Sequence, residues 1–225
     1  IAKYKHTKLY NQKRYRLGKI YKWGDMIEHK CWPTKIFEIP DAIDKSDIDN
    51  MLNVVYKIWS KTGGISNWQS SFDLHLLPEF KALRDFVLIT NKKLLEQMNY
   101  DVEDISITGM WANVLRKGET HSPHTHSNNF LSGVFYLYSD ETTGILFHDP
   151  RVQTEQIVPR KKKNTPENSS VLSFKSTTNT AIIFPSWLTH FVPVHQSEQN
   201  RMSVSWNIQL KGQVGEHHDF QSANF

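Results

Sequence analysis

Residues 118 to 138 read GETHSPHTHSNNFLSGVFYLY, with His121, His124 and His126 ahead of an apolar, aromatic-rich run. Imidazoles grouped this way suit a metal site, a proton relay or a polar loop. On a strand, residues i and i+2 point to one face. His124 and His126 would then stand side by side, roughly 7 Å apart at the backbone, as a two-point grip on a metal. A third ligand has to come from elsewhere in the chain. His190, in IIFPSWLTHFVPV just beyond an apolar run, is the best candidate. Further on, RMSVSWN puts Arg201 and Ser203 on one strand face. An arginine turned into a β-structure is costly to bury alone. It becomes reasonable when it meets an anion, because a guanidinium holds a carboxylate through two parallel hydrogen bonds.

The elements that must carry these residues differ between the two halves of the chain. In residues 41–60, Ile48, Met51, Leu52, Val55 and Ile58 recur at three- and four-residue steps, which predicts a helix with Ser46 or Asp47 as N-cap. Residues 78–98 predict a second helix, with Pro78 suited to its first turn. After residue 104 the period becomes strand-like, in SITGMWANVLR, FLSGVFYLY, GILFHD, SSVLSFK, TAIIFP and RMSVSWNIQL. Helices first and strands later, without alternation, argue against a parallel α/β sheet. They predict an antiparallel sandwich or barrel with helices on one side, α+β overall but mainly β. The polar stretch 151–170 interrupts the strands and reads as a binding element or a disordered loop.

Bulk properties fit one domain of about residues 25–225, with a helical part near 41–104 and a β core near 105–210, behind a basic arm of residues 1–24. The chain has 225 residues and a net charge of +4. Residues 1–22 carry eight Lys or Arg and no acid, leaving the remainder at −4. Such an arm either docks on nucleic acid through its cations and tyrosines or is a solvated terminus. Cys31 is the only cysteine, which excludes an internal disulfide and a cysteine-built zinc site and favours a reducing, cytoplasmic setting. No apolar run is long enough to span a bilayer, so no membrane partner is expected.

A histidine pair, a distant histidine and an anion-binding arginine form the layout of an iron enzyme that uses a carboxylate cosubstrate. The segments LRKGETHSPHTH, SGVFYL, FPSWLTHFVP and RMSVSWN resemble the 2-oxoglutarate/Fe(II)-dependent oxygenases, and within them a prolyl-hydroxylase-like subgroup of mostly uncharacterised bacterial and phage proteins. In prolyl hydroxylases a glycine-containing turn stands six residues before the His-x-Asp motif; here Gly118 stands six before His124. The resemblance implies a double-stranded β-helix (a jelly-roll, cupin-like core). It makes His124, His126 and His190 the metal ligands, and Arg201, Ser203 and Tyr136 the holders of the distal carboxylate of 2-oxoglutarate. It implies Fe(II), 2-oxoglutarate and O2 as cofactor and cosubstrates, and hydroxylation of a C–H bond, on a peptidyl, prolyl-like substrate, with release of succinate and CO2.

One position departs from the family pattern: residue 126 is His where the usual triad has a carboxylate. Either three histidines hold the metal, or Asp149 or Glu119 enters in place of His126. Other residues have blander readings. His121 reads as a loop residue or a partner to a ligand, His148 and His195 as residues that orient neighbours, and His217 and His218 as a solvent-facing tail. Trp206 reads as a core aromatic, and Asn113 and Asn129 as either ligand contacts or turn residues. Two other classes compete with the enzyme: a cupin-like metal or small-ligand binding protein, and a nucleic-acid binding module using the basic arm.

Overall fold

In the computed structural model, residues 7–8, 27–216, 220 and 222–225 are described. The chain divides into two compact units, Ile1–Lys35 and Ile36–Phe225. Within the first, β1 (Thr7–Lys8) pairs antiparallel with β2 (Ile27–Glu28). Most of the basic arm lies outside the described residues, as do His217 and His218.

The second unit opens with β3 (Phe37–Ile39), α1 (Lys45–Ser60) and β4 (Trp68–Gln69). The helix starts ahead of the predicted caps. Asp44 is the N-cap, its carbonyl receiving the Asp47 and Ile48 N–H groups, so Ser46 and Asp47 lie inside the first turn. Ile48, Met51 and Val55 are the buried face. Pro78 begins a single 3₁₀ turn, Pro78–Phe80, which leads into α2 (Lys81–Gln97). Leu83, Val87, Leu94 and Leu95 face inward there, and Asn91 between them donates its side-chain N–H to the Val87 carbonyl at 2.8 Å.

The strands follow: β5 (Asp104–Leu115), β6 (His121–His124), β7 (Leu131–Tyr138), β8 (Ile145–His148), β9 (Val171–Phe174), β10 (Ala181–Pro185), β11 (His190–Val192), β12 (Arg201–Lys211), and a closing pair, β13 (Gln213–Val214) and β14 (Ala223–Asn224). They form a major sheet of order β3-β10-β7-β12-β5-β4 and a minor sheet of order β6-β11-β8-β9, with every named strand pair antiparallel. The expected jelly-roll core is present.

Alternation along the major strands creates two cores. Met202, Val204, Trp206, Ile208 and Leu210 of β12 join Ala112 and Val114 of β5, Phe135 of β7 and the apolar faces of both helices. Each such side chain contributes roughly 1.5–3 kcal/mol on burial. The opposite face contributes Val134, Tyr136, Ile182 and Phe184 to a smaller cluster with Ile145, Phe147 and Leu188. Arg201, Ser203 and Ser205 share that inward face of β12. A Cβ built on Gly133 would overlap the Trp206 indole, so glycine lets that aromatic lie flat against β7.

Candidate metal and anion site

The strand β6 was not legible as a strand, because HSPH is polar and contains Pro123. It exists through its partner: His124 sits directly opposite His190 on β11. His126 lies two residues past the end of β6, in a turn, so a regular i, i+2 strand pair is not what brings the two rings together. Its backbone N–H donates to the Ser186 carbonyl at 2.9 Å. Ser186 is in turn fixed by its own N–H to the Phe130 carbonyl, and by a chain of hydroxyls through Ser132 to the Asn207 side chain. The turn before β6 is also pinned. Gly118, at φ +85°, donates its N–H to the His195 carbonyl, and the His195 N–H returns to Glu119 O, both at 2.8 Å. A left-handed φ of this kind suits glycine.

Three imidazoles converge as a result. Ring centroids are 4.3 Å apart for His124–His190, 5.1 Å for His124–His126 and 5.1 Å for His126–His190. One nitrogen from each lies within 4.8 Å of the other two. His124 Nδ1 is 2.7 Å from Ser122 O, and His190 Nδ1 is 2.9 Å from Leu188 O. A carbonyl can only accept, so both Nδ1 atoms carry the proton and both Nε2 atoms keep a free lone pair. Burial lowers His190 to about 3, with its Leu188 bond pulling the other way, and burial followed by the His124 charge lowers His126 to about 4. Both rings are therefore neutral and ligand-competent at neutral pH.

Neither candidate carboxylate joins them. Glu119 accepts hydrogen bonds from the Arg116 backbone N–H at 2.8 Å and from Arg116 Nε at 2.9 Å. Asp149 accepts from Arg151 Nε at 2.9 Å and Nη2 at 2.8 Å. The metal-competent group found among the described residues consists of histidines alone.

The same cleft is lined by Arg201, Ser203, Asn113, Gln69, Trp111 and His121, among others. Arg201 is 2% exposed, and its guanidinium carbon stands 4.9 Å from the centre of the Tyr136 ring. Arg201 Nε and Tyr136 Oη are both buried without a hydrogen-bond partner in the structure. Burial pushes the Tyr136 phenol up against the lowering influence of Arg201, so it stays protonated and able to donate. A desolvated cation beside a buried phenol has the chemistry to receive an anion.

The other singled-out residues fall elsewhere. His195 clips Thr143 Oγ1 and the Gln199 carbonyl, each at 2.7 Å, and His148 packs on Phe191. Asn113 lies in the cleft, bonded to Gln69 and Ser205, whereas Asn129 caps a turn with Ser127 and Thr108. Trp206 is buried in the helix-facing core. The 151–170 loop surrounds a separate cavity of about 380 Å³ and supplies no lining residue to the histidine cleft.

Residues 109–207 match the family model described as putative 2OG-Fe(II) oxygenase. No curated protein matches the chain. Among solved structures, the chain resembles the non-heme alpha ketoglutarate dependent epimerase SnoN from nogalamycin biosynthesis, with TM-score 0.60 and 8% identity over 83% of this chain and 81% of that one. It resembles HygX from Streptomyces hygroscopicus with nickel and 2-oxoglutarate bound, with TM-score 0.54 and 11% identity over 85% and 91%. It also resembles the viral collagen prolyl hydroxylase of Paramecium Bursaria Chlorella virus-1, with TM-score 0.52 and 13% identity over 77% and 94%.

Proposed function

We propose that the chain is a 2-oxoglutarate/Fe(II)-dependent oxygenase, the family that residues 109–207 match, in which His124, His126 and His190 hold iron while Arg201, Ser203 and Tyr136 receive the distal carboxylate of 2-oxoglutarate. The observation that carries this reading is one cleft lined both by the three-imidazole cluster and by a buried guanidinium with an unpartnered Nε. When bound, iron and 2-oxoglutarate supply the oxidising chemistry: O2 and 2-oxoglutarate are consumed, succinate and CO2 are released, and a substrate C–H becomes C–OH.

The chain's own residues do the rest. The Ser122 and Leu188 carbonyls hold two rings in the tautomer that leaves Nε2 free. The Ser186 turn holds His126, and Trp111 stands 5.7 Å from its ring. Phe147 and Phe184 pack against His190 and exclude water from that side. Arg201 orients the cosubstrate by its far end. A cupin-like binding protein would need the histidines but no buried anion receptor.

A peptidyl C–H is the substrate we favour, on the strength of the prolyl hydroxylases among the similar structures. Among the described residues no helix is long and apolar enough to cross a membrane. With a single, exposed Cys31, we place the enzyme in the reducing cytoplasm. Anaerobic titration with Fe(II) and then 2-oxoglutarate tests the assignment: a weak visible charge-transfer band at one equivalent of each is expected. Its absence, with iron bound, would turn the reading to a metal-binding cupin.

A further inference from the structure

Among the residues lining the cleft, His121 has no role in the account above. In a regular strand it would point away from the face that presents His124, three residues on. The pairing of β6 with β11 is irregular here. His190 opposes His124 and Val192 opposes His121, so three steps on β6 match two on β11. The extra residue is a bulge, a device that re-aims side chains beside functional sites. It turns His121 into the same cleft as His124, Arg201 and Ser203. His121 Nε2 is buried there with no hydrogen-bond partner in the structure, as are Arg201 Nε and Tyr136 Oη. After burial, the strongest influences on His121 are first the Arg201 charge and then His124, which together keep it neutral, at about 4. Buried polar atoms left unsatisfied by the protein are paired by something else.

We propose that His121 Nε2–H is a donor to the distal carboxylate of 2-oxoglutarate, completing with Arg201 and Tyr136 a receptor that the β6 bulge assembles. This rests on the oxygenase reading, and adds a binding residue to it. Arg201 alone can satisfy one face of a carboxylate; the remaining lone pairs need donors from another wall. His121 supplies one from the minor sheet, whereas Arg201 and Tyr136 come from the major sheet. Recognition of the cosubstrate would then bridge both sheets.

The test is anaerobic calorimetry on the Fe(II)-loaded chain with two probes: 2-oxoglutarate, and 2-oxopentanoate, in which a methyl replaces the distal carboxylate. His121→Phe keeps a ring but removes the donor, and His121→Gln keeps a donor. His121→Phe is expected to weaken 2-oxoglutarate about tenfold to a hundredfold, the range for one hydrogen bond to a charged group. 2-Oxopentanoate and Fe(II) affinities should stay within twofold of wild type, and His121→Gln should recover much of the loss. Unchanged 2-oxoglutarate affinity in His121→Phe would overturn the proposal. So would equal weakening of both probes, which would signal a disturbed cleft and no contact to the distal end. If wild type itself fails to bind 2-oxoglutarate, it is the oxygenase reading that falls.

Discussion

His124 and His190 are directly opposed residues of β6 and β11, with ring centroids 4.3 Å apart, so the strand register itself brings together two of the three clustered histidines. His124→Ala and His190→Ala are each expected to abolish stoichiometric Fe(II) binding, measured by anaerobic metal analysis. Their stability costs should differ. His190 is 4% exposed while His124 is exposed, so only the former should lower the melting temperature by several degrees. Retention of one tightly bound iron by both variants would move the site elsewhere.

His126 occupies the place of the usual carboxylate and is held by its backbone to Ser186. The side chain can therefore be exchanged without dismantling the turn. His126→Asp should keep iron binding and some succinate release, while His126→Ala should lose much of both. Full turnover in His126→Ala would mean that another group completes the ligand set. Asp149 would first have to leave Arg151 to do so.

Glu119 links the Arg116 corner to the turn that precedes β6. Burial by itself works to raise its carboxyl, but hydrogen bonds from the Arg116 backbone and side chain outweigh this and leave it below the usual carboxylate range. A depressed folded pKa gives stability that is present above the unfolded value, about 4.3, and lost as the pH falls through the folded one. Urea denaturation from pH 7 to pH 3 should show a loss in wild type that is smaller in Glu119→Gln. At pH 7 the variant should be less stable by about 1–3 kcal/mol. Parallel pH profiles for the two proteins would remove Glu119 from the account.

Gly133 faces Trp206 across neighbouring strands, with no room for a Cβ. Gly133→Ala is expected to cost at least about 1–3 kcal/mol, the usual range for overpacking, read from chemical denaturation. A neutral result would mean that the Trp206 indole can move away at no cost.

Legibility from the sequence followed physical scale. The long strand β12 alternates apolar and polar residues, β5 and β7 are long runs rich in apolar and aromatic residues, and both helices repeat their apolar residues, so local pattern located them. Arg201 and Ser203 were placed by the same alternation. The short strands β6 and β11 carry no local signal: β6 is a strand through its pairing with β11, a contact 66 residues apart at His124 and His190, and β11 lies between β6 and β8. The bulge that turns His121 inward is a property of that pairing, and so His121 read as a loop residue. The polar composition of 151–170 marks a loop but does not say which side of a barrel it covers.

Arg201 is the residue that separates an oxygenase from a metal-binding jelly roll. It is 2% exposed, no carboxylate forms an ion pair with it among the described residues, and its Nε is unpartnered. Leaving a guanidinium in that state is costly unless an anion meets it. Arg201→Ala should therefore weaken 2-oxoglutarate by about 2–5 kcal/mol, the range for truncating one side of a buried charge pair. Arg201→Lys should fall between, since the charge persists while the two-point fork is lost. Fe(II) affinity without cosubstrate should change little in either, because Arg201 is outside the histidine cluster. In the apoprotein the sign reverses: Arg201→Met, similar in reach but uncharged, should be at least as stable as wild type to urea, because it removes an uncompensated buried charge. A gain in stability paired with a loss of 2-oxoglutarate binding would mark Arg201 as a residue kept for its ligand. A loss of stability with unchanged binding would make it a structural cation and remove the anion receptor from the site.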